Sequence, residues 1–395
     1  MATLLLSVIQ TAFAFGLSTI NQGYLVMKRV FITGATGFLG GAIMEKALQD
    51  KQIEKIYMLV RAATRQDGLK RILNNLRKFD ISESLLSCLT EENIIIGDLA
   101  EPESFIHHPM LDGITHVINS AAIASFGNNP LIWKVNVEGT LAFAKRMSQV
   151  TSLRKFIQIG TAMSCVPDQD QVVEECGQLD TEKSHIVEYT LSKATIENLM
   201  REHCPAMPLL IVRPSIIVGH SHLGCKPSSS IYWVFEMAMK LQRFMCSLDD
   251  KIDVIPVDFC AEAILMLLHT EQAVNDIYHI SAGEASSVSF NEVDQAMAQA
   301  AARAPMGADY RQVSYHDLIK LRSRFSSLYG PCNERLMLRA MRLYGSFAQL
   351  NVKFSNRKLL QLGMKTPPRF TEYVGKCVET TRQFSVPELM TVDFK

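Results

Sequence analysis

Val30-Phe31-Ile32-Thr33-Gly34-Ala35-Thr36-Gly37-Phe38-Leu39-Gly40 decides the architecture of this chain. A short apolar strand, Val30 to Ile32, runs into three glycines and then into a helical stretch, Gly41 to Leu48. Gly34 permits a tight turn, Gly37 lets backbone approach a pyrophosphate, and Gly40 lets the helix pack on the strand. The helix start offers free N–H groups and a positive dipole end to an anion. Placed between a first strand and a first helix, Thr33, Gly34, Thr36, Gly37, Phe38, Leu39 and Gly40 mark a dinucleotide-binding turn.

Downstream, strand-like and helix-like segments alternate to about residue 220. Lys55 to Val60, Asn93 to Ile96, His116 to Ile118, Lys155 to Ile159 and Leu209 to Val212 are unbroken apolar runs, the pattern of strands buried on both faces. Helices are predicted between them, notably Leu131 to Met147 and Tyr189 to Arg201. The fold class is therefore α/β, a doubly wound parallel sheet of Rossmann type with a smaller, mostly helical C-terminal substrate lobe. Beyond 220, a helix over Ile231 to Leu241, strands at Val254 to Val257 and Ile277 to Ile280, and a capping-box helix start at Ser289 to Glu292 are predicted. We divide the chain into an apolar segment 1–26, a dinucleotide-binding domain 27–285 with 220–250 contributing to the substrate lobe, and a covering lobe 286–395.

The chain has 395 residues, with 40 basic and 40 acidic side chains. A net charge of zero provides no sustained basic field, so nucleic acid is excluded as a partner. Nine cysteines without a CxxC suggest neither a disulfide framework nor a metal site. They read as small apolar groups in a reducing, cytoplasmic setting. From Ala2 to Met27 there is no charge. This segment lacks the positive start of a secretory signal and is barely long enough to span a bilayer. A dispensable leader or cap helix, membrane-surface contact and a true anchor stay open. A homodimer is compatible with the composition.

The end of the second strand bears on the choice of cofactor. Leu59-Val60-Arg61-Ala62, followed by Arg65 and Arg71, has arginine where an acidic residue would bind a ribose 2′-hydroxyl. A guanidinium matches a 2′-phosphate, so NADP(H) is expected, held by Arg61 and Arg71. Asp98, with Leu99, follows the third strand, where a carboxylate can accept from an adenine amino group. Ser120-Ala121-Ala122 ends the fourth strand with small side chains that let a cofactor lie against backbone.

Tyr189 and Lys193 lie four residues apart on one helix face. A free phenol titrates near 10; a neighbouring ammonium, together with an oxidised nicotinamide, favours phenolate. Lys193 can also hold the nicotinamide ribose. Thr161, just after the strand Lys155 to Ile159, is the expected hydroxyl that polarises a substrate carbonyl, with Ser164 in reserve. Asn136 is read either as a member of a water-mediated proton relay or as a helix-kinking structural amide. Arg335, Arg339 and Arg342 form a charged helix face, solvated or directed at an anionic ligand or headgroup. His220 and His222 lack a third metal ligand and read as loop residues; no metal is expected.

TGATGFLG, GDL, NSAA, NVEGT, GTA, YTLSK and Arg213-Pro214-Ser215 come in the order of the extended short-chain dehydrogenase/reductase family, which this chain resembles. Leu59-Val60-Arg61, Ala121-Ala122 with Phe126, Arg213-Pro214-Ser215-Ile216 and Asp253-Val254-Ile255-Pro256-Val257-Asp258 are more similar to one branch, the fatty acyl-CoA reductases and the thioester-reducing domains of carboxylic acid reductases and synthetases. The resemblance covers roughly 27 to 285, with a fainter echo at Phe354-Ser355-Asn356 and Gly363-Met364-Lys365. It implies a nicotinamide cofactor contacted also by Pro214, Ser215 and Ile216, and a Thr161–Tyr189–Lys193 catalytic set. Two positions depart from the pattern: Gly160 stands where a serine is frequent, and Met163-Ser164 where a tyrosine is expected.

The branch implies NADPH-dependent reduction of an acyl thioester, carried by CoA or a carrier protein, to aldehyde or alcohol, a step of lipid metabolism. The alternative within the same fold is an enzyme acting on a ketone, a secondary alcohol or a sugar nucleotide. A non-catalytic NADP sensor is a third reading, disfavoured by the presence of both Tyr189 and Lys193.

Overall fold

The computed structural model describes residues 27–125, 129–175 and 177–391. The expectations for residues 1–26 lie outside the described residues. Among the described residues, no helix is long and apolar enough to cross a membrane.

Seven strands form the central sheet: β1 Lys28–Thr33, β2 Ile53–Val60, β3 Ile94–Ile96, β4 His116–Asn119, β5 Lys155–Ile159, β6 Leu209–Pro214 and β7 Asp276–Ile280. Every neighbouring pair is parallel, in the order β7-β6-β5-β4-β1-β2-β3. The strand order reverses between β1 and β4, which opens a crevice beyond their carboxyl ends, the place where open α/β sheets bind ligands. β1 and β4 are in register through Val30 with His116 and Thr33 with Asn119.

Apolar side chains on both faces explain why these runs do not alternate. Val30, Ile32, Met58, Ile157 and Val212 face one core with helices α1 Phe38–Ala47 and α2 Arg65–Leu76. Phe31, Tyr57, Val117, Phe156 and Ile211 face the other. There Phe143 of helix α3 Thr140–Met147 packs against Phe31, Phe105 and Phe156 at centroid separations of 5.4 to 5.6 Å. Burying one such ring removes enough apolar area to contribute about 1.5–3 kcal/mol.

The helix predicted over Leu131 to Met147 has a local irregularity. Lys134–Gly139 is wound as a π-helix between two α-helical parts. A Cβ at Gly139 would lie 1.7 Å from the Leu99 carbonyl oxygen, so the wide turn and the missing side chain together admit the loop after β3. Helix α4 Glu188–His203 follows β5 and leads to β6.

The expected strand at Val254 to Val257 requires correction. Only Val254–Ile255 is extended, pairing with Ile216–Ile217 outside the central sheet. Val257 already begins a buried helix, α6 Val257–His269, because Pro256 at its N-cap ends the extended run. Lys155 closes the other end of α6, donating to Leu267 O at 2.7 Å and Thr270 O at 2.5 Å. This is the favoured placement of a cation on helix-terminal carbonyls.

A separate core joins helix α5 Tyr232–Leu241 to α7 Phe290–Ala300, α8 Glu334–Ala348 and α9 Phe370–Thr381 around Trp233, Phe325 and Phe370. The Ser289 capping box is present, with Ser289 Oγ accepting from Glu292 N at 3.2 Å and Glu292 Oε2 accepting from Ser289 N at 2.8 Å. Lys353–Phe354 returns to pair with Val172–Val173, tying this region to the loop before α4.

Candidate active site

The glycine turn sits at the mouth of the crevice. Gly34 has φ +77°, a conformation that favours glycine, and a Cβ there would lie 2.8 Å from Ala121 N. Its neighbour Thr33 is fully buried beneath the turn. Thr33 Oγ1 donates to Asn119 Oδ1 at 2.6 Å and accepts from Ala121 N at 3.1 Å, while Ser120 Oγ donates to Thr33 O at 2.7 Å. Thr33 thus knits β1 to β4 and does not line the cavity. Asn75 of α2, which the sequence reading missed, donates from Nδ2 to Ala35 O and Gly37 O at 3.1 and 3.0 Å. Those bonds fix the turn from below.

Two connected hollows follow the crevice, sharing Gly34, Gly37, Ser120 and Ala122. The smaller, about 250 Å³, is lined by Thr36, Arg61, Arg71, Asp98, Leu99 and Ala121. Arg71 donates to the Arg61 carbonyl, and Arg61 Nη1 lies 3.9 Å from Asp98 Oδ2. Asp98 Oδ1 accepts from Ala100 N at 2.9 Å. Two guanidiniums therefore line this hollow, with Arg61 60% exposed. A narrow glycine cradle and helix N-terminal amides fit the pyrophosphate of a dinucleotide, with the two arginines in the same hollow.

The larger hollow, about 470 Å³, is lined by Gly34, Gly37, Phe38, Leu39, Gly40, Ser120, Ala122, Thr161, Tyr189, Lys193, Pro214, Ser215 and Ile216. Thr161, Tyr189 and Lys193 are brought to one cavity from the end of β5 and the first turns of α4. Lys193 is buried and donates from Nζ to Ile159 O at 2.7 Å; its Nζ lies 5.9 Å from the Tyr189 ring centroid. Thr161 caps the short 3-10 turn Ala162–Cys165. Ser164 is fully buried, donating from Oγ to Thr161 O at 2.6 Å, and is absent from the cavity lining.

Burial dominates the titration of the pair. It raises the Tyr189 phenol to about 12. It lowers Lys193 to about 8, although the Glu197 carboxylate one turn on pulls upward. Burial holds Tyr189 as a neutral hydroxyl.

Behind Lys193 lies a buried ion pair. Arg213 Nε and Nη2 donate to Glu197 Oε2 at 3.0 and 2.7 Å, with both side chains at most 1% exposed. The other carboxylate oxygen faces Gly160. Asn136, in the π-helical turn, accepts from Ile123 N at 2.8 Å and donates to Ile123 O and Ser192 Oγ at 3.1 and 3.0 Å. Its amide clamps the loop after β4 to α4 and lies outside the cavity lining.

The cavity also has a wall the sequence reading missed. Ser230 and Ile231 before α5, and Tyr344 and Phe347 of α8, close it from the C-terminal region. On the same helix Arg335, Arg339 and Arg342 face solvent, with Arg342 5.7 Å from the Tyr315 ring centroid. His220 is buried, not a simple loop residue. Its Nδ1 accepts from His222 N and Leu223 N at 3.1 and 3.3 Å, between the carboxylates of Glu45 and Asp258 at 3.5 and 3.6 Å.

The sequence profile of the family described as Male sterility protein, an NAD-binding family, matches residues 32–264. The chain belongs to that family, and with it to the thioester reductase branch of the extended short-chain dehydrogenase/reductases. It is similar to Fatty acyl-CoA reductase wat of Drosophila melanogaster, 25% identical over 60% of this chain and 53% of that protein. It is also similar to a subunit of the linear gramicidin synthase of Brevibacillus parabrevis, 28% identical over 64% of this chain but 5% of that protein. The chain therefore spans about half of the first relative, with its 53% share, and a small part of the second. Among solved structures, the terminal R domain from the myxalamid PKS-NRPS biosynthetic pathway superposes with a TM-score of 0.73 at 20% identity, covering 90% of each chain. That likeness concerns the fold.

Proposed function

We propose that this protein reduces an acyl thioester with NADPH. The observation that carries the reading is the single cavity in which the glycine turn, Thr161, Tyr189 and Lys193 meet. NADPH, when bound, supplies the hydride that adds to the thioester carbonyl carbon. Thr161 and Tyr189 hydroxyls donate to the carbonyl oxygen as it gains negative charge. The buried phenol is well suited to this, because a proton donor must be protonated when the substrate arrives, and burial holds Tyr189 in that form. Lys193, anchored on Ile159 O, sets positive charge behind the phenol and reaches toward the ribose. Collapse of the hemithioacetal breaks the carbon–sulfur bond, releasing the aldehyde and a thiol that carries the proton. Arg61 and Arg71 select the 2′-phosphate. Asn136 acts by positioning, since its amide is committed to Ile123 and Ser192.

The relatives named as a fatty acyl-CoA reductase and a gramicidin synthase component support a thioester substrate. The test is turnover of NADPH by the purified protein with a panel of acyl-CoA thioesters, ketones, secondary alcohols and sugar nucleotides. Cofactor consumption with the thioesters supports the reading. Turnover confined to ketones, alcohols or sugar nucleotides overturns it in favour of the alternative within the fold.

A further inference from the structure

The catalytic cavity has an apolar neighbour. Ile216, Ile231, Tyr344 and Phe347 line both the 470 Å³ hollow and a second space of about 60 Å³ that runs between α5 and α8. Val234, Phe235 and Ala238 of α5 and Ala348 of α8 line this slot, together with Phe244 and Phe290. Tyr310 brings a hydroxyl to the slot, but that hydroxyl donates to Cys246 O at 2.6 Å inside the core. Tyr344 packs edge-on against Trp233 with centroids 5.4 Å apart.

We propose that this slot takes the far end of the acyl group's hydrocarbon chain, the rest lying in the catalytic hollow, and so sets the preferred length. The proposal rests on the thioester reading of the cavity next to it. A hydroxylated or charged ligand entering such a lining would lose its hydration without replacement hydrogen bonds, whereas a methylene chain gains from the same lining. The space is small beside the catalytic hollow and flanked by aromatic rings, so it suits the unbranched end of a chain. The four shared residues make it continuous with the place where Thr161 and Tyr189 hold the carbonyl. Ala238 and Ala348 are the small side chains in its walls, and their size leaves the chain its room. Larger groups at those points shorten it.

The test compares wild type with Ala238→Phe and Ala348→Phe on butyryl-CoA and hexadecanoyl-CoA. The expected result is a fall of roughly tenfold or more in kcat/KM for the long chain, with butyryl-CoA within about twofold of wild type. Equal effects on both substrates, or none on either, would overturn the proposal. A second measurement stands apart from turnover: binding of the fluorescent probe dansyl-undecanoic acid. Binding by wild type that weakens roughly tenfold in Ala238→Phe supports the slot even if no thioester is reduced, in which case only the activity reading falls. No probe binding by wild type, or binding indifferent to both substitutions, overturns the slot even if thioesters are reduced.

Discussion

Gly160 and Glu197 are packed so closely that a Cβ on the glycine would lie 2.2 Å from Glu197 Oε1. The carboxylate has little freedom to withdraw, because its other oxygen is held by Arg213 and both side chains are buried. Glu197 in turn acts electrostatically on Lys193, one helical turn away. The absence of a side chain after β5 and the ion pair beneath the lysine are parts of one arrangement.

It follows that Gly160→Ser destabilises the protein by about 1–3 kcal/mol, as overpacking of a filled interior does. Shortening the acid in the double variant Gly160→Ser with Glu197→Asp recovers part of that loss. Chemical denaturation of the three proteins measures both effects. If Gly160→Ser is as stable as wild type, the packing argument is wrong.

Tyr189→Phe removes the proton donor and keeps the ring. Turnover should fall roughly 10²- to 10⁴-fold, while affinity for NADPH, measured by fluorescence titration, stays near wild type. Equal losses in turnover and cofactor affinity would show that the phenol serves binding.

Lys193, lowered to about 8 by burial, bears its charge below that pH and loses it above. If the ammonium assists the phenol, kcat/KM declines as pH rises through about 8. Lys193→Arg, which retains charge throughout this range, should remove that decline at the cost of a lower plateau. A pH–rate profile with unaltered shape in the arginine variant would contradict this role.

Arg61→Ala should raise the Michaelis constant for NADPH and leave that for NADH nearly unchanged. Since Arg61 is 60% exposed and already leans toward Asp98, the loss should lie near the low end for a charged hydrogen bond, about 1.5 kcal/mol, or roughly tenfold. Similar losses with both cofactors would remove the case for phosphate selection.

Glu175 gives a stability test away from the cavity. Burial raises its carboxyl to about 7, against a weak opposing bond from His279 N at 3.5 Å. Its neutral form is favoured on folding, so its contribution is full below the unfolded value near 4.3 and is lost as pH rises through about 7. Glu175→Gln should therefore be more stable than wild type at alkaline pH, by on the order of 1 kcal/mol after allowing for its partial exposure. The two should differ little in acid. Thermal melts at the two ends settle it.

The sheet was legible because its strands are buried on both faces and read as plain apolar runs, from Val30-Phe31-Ile32 to Ile277–Ile280. The glycine turn and the Tyr189–Lys193 pair were legible because their spacing is local. What escaped is long-range. Asn75 reaches back to the turn across some 40 residues of chain, and Tyr344 and Phe347 meet the cavity from the far C-terminal region. The π-helical turn answers to Leu99, a neighbour in space that no periodicity within the helix could reveal. At Val254, apolar character alone did not distinguish a two-residue strand from the helix that Pro256 starts.

The central claim is that a thioester carbonyl is reduced in the cavity where Thr161, Tyr189 and Lys193 converge, and the most direct measurement counts products. With acyl-CoA and excess NADPH, free thiol should appear in step with cofactor oxidation, one thiol for each NADPH consumed in forming the aldehyde, and both should vanish together in Tyr189→Phe. NADPH oxidised with no thiol released, or thiol released equally by the phenylalanine variant, would contradict the account.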